Sequence, residues 1–281
     1  MPAKVISFIN QKGGTGKTTV CINLSVALAQ LGKKVLIVDL DFQSNATTGL
    51  GYDLQDITVS SFELLKENEI QARDIIKKTY KENLSLIPAR FDIEYMKLLS
   101  EIGGEKNVIL KGKLEPLLED YDFIFIDNPP SLSAFTFNSL FASDYIYIPI
   151  EISYFGLEGF DQILNTIKLL NKATVEYLRD VERMLTAGHL KFEPQKMKVG
   201  GVIINKWDNV TKDRVQFGDE IEKFLNKRYS EYLFDTKIRN YTRIREAIGE
   251  GIGILDYAPD SPGGRDFLKL AEEVINRESQ R

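Results

Sequence analysis

Lys12-Gly13-Gly14-Thr15-Gly16-Lys17-Thr18-Thr19 is the stretch on which the reading of this chain turns. It follows an apolar run, Val5 to Ile9, and precedes a helical pattern of Ile22, Leu24, Val26, Leu28 and Leu31. A glycine-rich turn between strand and helix, ending in Lys-Thr, is the context a phosphate-binding loop requires. Gly13, Gly14 and Gly16 let the backbone bend until its N–H groups point inward at phosphate oxygens. The helix that follows adds its partial positive end behind them. Lys17 can reach the β- and γ-phosphates, and the Thr18 hydroxyl can sit on Mg²⁺. The segment from Gly13 to Thr19, Thr15 included, therefore predicts a nucleoside triphosphate site. Lys12, ahead of two glycines, is either a solvated loop lysine or a residue with a role of its own.

Working outward, a chain of 281 residues has room for one large α/β domain or two small ones. Its 43% hydrophobic content suits a soluble globular protein. No apolar run approaches the ~18 residues of a membrane span. The chain enters a strand directly after Met1-Pro2-Ala3, so no signal peptide is expected. A single cysteine, Cys21, excludes a disulfide framework and any zinc or iron–sulfur cluster built within one chain. Together these features predict a cytoplasmic protein. A net charge of −5 and a pI near 5.2 argue against a strongly basic nucleic-acid binder on average, while leaving room for a local patch.

Apolar strand candidates alternate with helical stretches: Val5–Ile9, Val35–Leu40, Leu84–Ile87, Phe123–Ile126, Tyr145–Ile150 and Val199–Ile204. This alternation predicts a P-loop α/β fold, a mostly parallel twisted sheet with helices on both faces. With no Ser- or Pro-rich linker and no repeat, residues 1–281 are expected to form one domain. Gly32 is expected to close the first helix. Residues 156–185 read as a long helix or helix pair. His189, alone in the connection after it, reads as a surface residue.

Two carboxylate segments carry the rest of the chemistry. Asp39-Leu40-Asp41-Phe42-Gln43-Ser44-Asn45-Ala46-Thr47 follows the second strand, where α/β sheets bind ligands. Capping or loop roles for Asp39 and Asp41 are the alternative to a catalytic one. Phe123-Ile124-Phe125-Ile126 is a buried strand whose tip, Asp127, is placed to hold the hydration shell of Mg²⁺.

These motifs, in this order, resemble the variant Walker A family of dimerising ParA/MinD ATPases. Lys12 matches the extra lysine of that family, which crosses the dimer interface to the partner's nucleotide. Asp39 to Thr47 resembles its Asp-Leu-Asp-Pro-Gln-Gly-Asn-Ala-Thr switch, with Phe42 for proline and Ser44 for glycine. The resemblance implies that Asp41 orients the attacking water and that Asp39 supports the magnesium region. Asp127-Asn128-Pro129-Pro130-Ser131 resembles the Walker B segment, with Asn128 a departure. Tyr154 to Gly159 matches the segment after the fourth core strand. Asn205 ends a strand, and its amide can read an adenine edge through a paired donor and acceptor. Ile238-Arg239-Asn240 and Glu246-Ala247 are similar to further family elements. Asp256 to Ser261 resembles the adenine-side loop, with Pro259 and Asp260 beside the base. Residues 173–198 exceed the usual connection and predict a helical insertion that packs on the dimer, receives a partner or is simply solvated.

The resemblance also implies ATP and Mg²⁺ as cofactors, a homodimer with ATP, slow hydrolysis stimulated by a ParB-type protein or cargo adaptor, and non-specific DNA binding at the nucleoid. Slow turnover is expected because no glutamine or glutamate is evident beside the γ-phosphate. Basic residues late in the chain, with Arg239, Lys206 and Arg243 as the leading contacts, supply the candidate DNA surface; interspersed acids make a solvated mixed surface the alternative. The tail from Leu270 to Arg281 carries three acidic residues and no aromatic, so no membrane anchor is expected. Competing readings are an ATPase that positions a protein assembly and a small-molecule ligase of the dethiobiotin synthetase type. Such ligases lack a lysine at the Lys12 position.

Overall fold

Val35-Leu36-Ile37-Val38 and Phe123-Ile124-Phe125-Ile126 present apolar side chains to both faces of a strand, and such strands need cover on both sides. The computed structural model describes residues 2–90, 109–131, 133–151, 197–207, 223, 227 and 230–281. In it these two runs pair with each other in the middle of a seven-stranded sheet.

The strands are β1 (Lys4–Phe8), β2 (Val35–Asp39), β3 (Lys77–Lys78), β4 (Leu84–Ile87), β5 (Phe123–Asp127), β6 (Tyr145–Glu151) and β7 (Val199–Asn205). Among the described residues the α-helices are α1 (Lys17–Gln30), α2 (Asn45–Gly49), α3 (Ser61–Lys66), α4 (Ile109–Leu114), α5 (Ala134–Ala142), α6 (Thr242–Gly249), α7 (Ile254–Tyr257) and α8 (Pro262–Ser279). The strand order is β3-β4-β2-β5-β1-β6-β7, with every pair parallel except β3–β4. The expected P-loop architecture is thus the observed one, and all six expected strands are present. The seventh, β3, carried no apolar signal because it is two edge lysines, the kind of residue that discourages further strand pairing.

Successive side chains point to opposite faces, and the core divides accordingly. Ile6, Phe8, Ile37 and Phe125 pack on one side against α1, α7 and the apolar stripe of α8, which is Phe267, Leu270, Ala271 and Val274. Val5, Leu36, Val38, Ile124 and Ile126 pack on the other side against Phe62, Leu110 and Phe135. The α8 stripe is therefore consumed by the core, and no helix among the described residues is long and apolar enough to cross a membrane. Helix α1 is buried on nearly every side, Cys21 included, and ends where Gly32 takes φ +81°. Its one buried amide side chain, Asn23, caps α7 by accepting from Ile254 N–H at 2.7 Å.

In register, Phe8 and Asp39 both flank Asp127, so β1, β5 and β2 end at one level. The loop after β1, the carboxylate at the tip of β5 and the segment after β2 are thereby delivered to the same crevice. The expected 156–185 helix, His189, the 154–159 segment and residues 173–196 of the expected insertion lie outside the described residues.

Candidate nucleotide-binding site

Gly14 and Gly16 adopt φ +77° and +89°, left-handed backbone that only glycine takes up without penalty. At Gly16 there is a second constraint, because an added Cβ would lie 2.1 Å from Asn205 Nδ2. Gly16 is also the N-cap residue of α1, and no side chain caps that end. The first-turn N–H groups are therefore available to an anion. Upstream, buried Asn10 fixes the start of the loop: Nδ2 donates to Pro149 O at 2.8 Å, and Oδ1 accepts from Lys12 N–H at 2.9 Å.

This loop forms one wall of a cleft of about 810 Å³, the size range of small-molecule sites. Gly13, Gly14, Gly16, Lys17, Thr18 and Thr19 line it on the loop side, Asp41, Gln43 and Asn45 on the β2 side, and Asn205 and Lys206 at the end of β7. Arg239, Tyr241, Ile244, Arg245 and Ile248 form its far wall.

Under the loop, charge is concentrated and buried. Asp39 and Asp127 are fully buried, and Lys17 and Asp41 nearly so. Asp39 has both carboxylate oxygens engaged: Oδ1 accepts from Asp41 N–H at 3.1 Å, and Oδ2 from the Thr47 N–H and hydroxyl at 2.9 and 2.7 Å. Burial nonetheless raises its pKa to about 7, with the Asp41 charge adding to the effect. Asp127 differs. Both of its oxygens are buried without a hydrogen-bond partner. Burial and then the Asp39 charge push its pKa well up, while Thr18 and Lys17 beside it act in the opposite direction. The Thr18 hydroxyl lies close without meeting hydrogen-bond geometry. Burial lowers the Lys17 pKa against the pull of Asp127 and Asp41. Asp41, also raised by burial, accepts from Gln43 N–H at 3.0 Å.

Two unpartnered buried carboxylate oxygens beside a threonine hydroxyl are what a hard divalent cation with oxygen ligands would satisfy. Thr18 and Asp127 therefore fit such an ion. Asp39, assigned to the metal region from sequence, instead spends its oxygens bracing the segment that carries Asp41. Among the described residues no group of three acidic, histidine or cysteine side chains is arranged to hold a metal, so an ion here would share its coordination with phosphate oxygens.

Most of the residues expected at the site converge on it, but six sit differently. Lys12 is half-buried and outside the cleft wall. Pro259 and Asp260 are exposed, and the structure does not bring them to the cleft. Lys206, expected on a DNA surface, turns its ammonium to Gly14 O at 2.6 Å. Arg239 is exposed at the cleft margin, but its guanidinium is held by Asp266 through Nε at 2.7 Å and Nη2 at 2.9 Å. Arg243 is exposed, 5.2 Å from the centroid of the Tyr257 ring. Sequence reasoning found no glutamine or glutamate at the site, yet Gln43 and Glu151 line the cleft. Gln43 stood within the quoted switch segment and could have been found there. Glu151 at the end of β6 gave no signal.

Comparison with known proteins gives a consistent picture. Residues 3–179 match the family described as an AAA domain. The sporulation initiation inhibitor protein Soj of Bacillus subtilis is 36% identical over 96% of this chain and 98% of its own length. The chromosome-partitioning ATPase Soj of Treponema pallidum is 34% identical over 99% of each chain. Among solved structures, the septum site-determining protein MinD of Pyrococcus horikoshii, complexed with Mg-ADP, superposes with a TM-score of 0.69. It is 27% identical, with 97% of this chain and 96% of that one covered.

Proposed function

The chain belongs to the ParA/MinD family of partition and positioning ATPases, and from that premise we propose that it binds ATP with Mg²⁺, dimerises around it, and in that state holds DNA non-specifically until a partner protein stimulates hydrolysis. One observation carries the nucleotide part: a left-handed glycine loop and Lys17 line one cleft, and the unpartnered Asp127 carboxylate is buried directly beside Lys17 and Thr18. The MinD relative complexed with Mg-ADP supports the same ligands here.

The chain's own residues have distinct tasks in this reading. Loop N–H groups and the α1 end hold the phosphates, and Lys17 neutralises charge on the β- and γ-oxygens. Bound at Thr18 and Asp127, magnesium would neutralise further phosphate charge. Asp41, braced through Asp39, orients the attacking water. Lys12, half-buried at the start of the loop, acts across the face of the cleft on a second subunit's nucleotide.

DNA binding follows from pairing. Two subunits closed face to face join their basic margins, and the number of phosphate contacts doubles. Affinity depends exponentially on that number, so pairing alone can switch binding on. The test is DNA binding with ATP, ADP or no nucleotide across a salt series. Binding only with ATP, weakening steeply with salt, is the expected result. No binding in any state, with ATP-dependent dimerisation intact, would move the platform from DNA to a protein assembly.

A further inference from the structure

Two donors hold the back of the phosphate loop, and neither belongs to the loop. Asn205 Nδ2 donates to the Thr15 carbonyl at 2.8 Å, and the Lys206 ammonium donates to the Gly14 carbonyl at 2.6 Å. Both come from the end of β7, some 190 residues further along the chain. A peptide unit is planar and trans, so its N–H points away from its C=O. Fixing the Gly14 oxygen from behind therefore aims the Thr15 N–H the other way, and fixing the Thr15 oxygen aims the Gly16 N–H likewise. These are N–H groups of the kind from which an anion-binding nest is made.

The backbone just past the end of β7 takes up a left-handed turn at this contact. Lys206 has φ +54°, uncommon for a residue with a side chain, and such strain persists where surrounding structure enforces it. Glu151, 3.8 Å from the ammonium, draws it to the same place. A charged donor also forms a stronger hydrogen bond than a neutral one and further polarises the peptide it holds.

We propose that Lys206, with Asn205, is a positioning residue for phosphate binding, acting through the Gly14–Thr15 and Thr15–Gly16 peptide planes. The inference rests on the nucleotide reading above and deepens it, moving Lys206 from the DNA surface to the nucleotide site. The effect falls on the bound state of any nucleotide that fills the loop, so ADP and ATP feel it alike. It leaves the chemical step and DNA binding by nucleotide-saturated protein unchanged.

The experiment compares the full-length wild type with Lys206→Ala and Lys206→Arg, titrating Mg-ADP and Mg-ATP and measuring KM, kcat and melting temperature. Lys206→Ala is expected to weaken both nucleotides about tenfold, the scale of one charge-assisted hydrogen bond. KM should rise while kcat stays within about twofold, and Lys206→Arg should recover most of the loss. Should Lys206→Ala fail to fold, Lys206→Met carries the same test, since it keeps an unbranched side chain without a donor. Wild-type affinity in the alanine or methionine variant, or loss of DNA binding at saturating nucleotide, overturns the inference. A wild-type chain that binds neither nucleotide overturns the nucleotide reading and this inference together. A wild-type chain that binds both, matched by its variants, overturns this inference alone.

Discussion

At the phosphate end of the cleft, Lys17, Asp39, Asp41 and Asp127 are buried together, while at the α6 end Arg239, Arg243 and Arg245 stand in solvent. The buried set is short of partners: three carboxylates face one lysine, and the Asp127 carboxylate accepts no hydrogen bond among the described residues. The exposed set includes arginines that already have partners, Asp266 for Arg239 and the Tyr257 ring for Arg243. A ligand at the first end relieves an existing electrostatic cost, so binding there is strong and geometrically demanding. A ligand at the second end must compete with contacts already made, so its contribution is graded and sensitive to salt.

The largest expected effect lies at the buried end. Lys17→Ala removes the ammonium that Asp127 and Asp41 feel there, and with it the charge meant for the β- and γ-phosphates. ATP hydrolysis should fall by roughly 10²–10³-fold, as for loss of a preorganised electrostatic donor. A steady-state phosphate-release assay reads it. A loss below tenfold would break the contrast between the two ends.

Next in size is a trade between stability and function at the same place. Asp127→Asn removes a buried charge that lacks partners, so the nucleotide-free protein should gain on the order of 1–3 kcal/mol, read by denaturant unfolding, while its response to Mg²⁺ is lost. The same cost makes the free protein pH-dependent. Asp39 titrates near 7 when folded, above an ordinary aspartate at about 3.9. Between those values the folded state binds more protons than the unfolded one. The contribution of Asp39 is thus fully present below about pH 4 and lost as pH rises through about 7. The nucleotide-free protein should melt higher at pH 5.5 than at pH 7.5. Mg-ADP should shrink or reverse that difference, because it stabilises the ionised site.

What could be read from sequence follows the same division. The loop from Lys12 to Thr19 encodes its geometry locally, since glycines at 14 and 16 and the helix that follows are contiguous. The strands were legible because Val35–Val38 and Phe123–Ile126 are apolar without interruption. Asp39 and Asp127 were found because each ends such a strand, but their different roles were not. Only the tertiary structure shows that Thr47 and the Asp41 N–H saturate one and leave the other bare. Lys206 is the sharpest case. Its charge suggested DNA, and nothing local to Asn205-Lys206 reveals that the next wall of the cleft is Gly14. Pro259 and Asp260 failed for the converse reason: the segment resembles an adenine-side loop, but α7 and α8 hold it outside the cleft wall.

The smallest expected effect concerns Arg239, and it decides whether the exposed end is a binding surface or a structural tie. Asp266 is largely buried and accepts three hydrogen bonds from Arg239, including its backbone N–H at 3.2 Å. The Arg239 side chain remains 45% exposed, which screens the pair and limits its worth to about 1 kcal/mol. If the pair only ties α8 to the segment after β7, Arg239→Ala and Asp266→Ala should cost the same stability, and the double variant no more. DNA affinity should then drop equally in both. If Asp266 instead orients the half-exposed guanidinium for a phosphate, the two variants separate. Arg239→Ala removes one phosphate contact and lowers the slope of log affinity against log salt by about one, whereas Asp266→Ala frees the arginine and keeps the slope. The separated outcome is the one expected here, because exposure of the guanidinium serves no purpose in a purely structural pair. Equal slopes for the two variants would assign the exposed end of the cleft to structure alone.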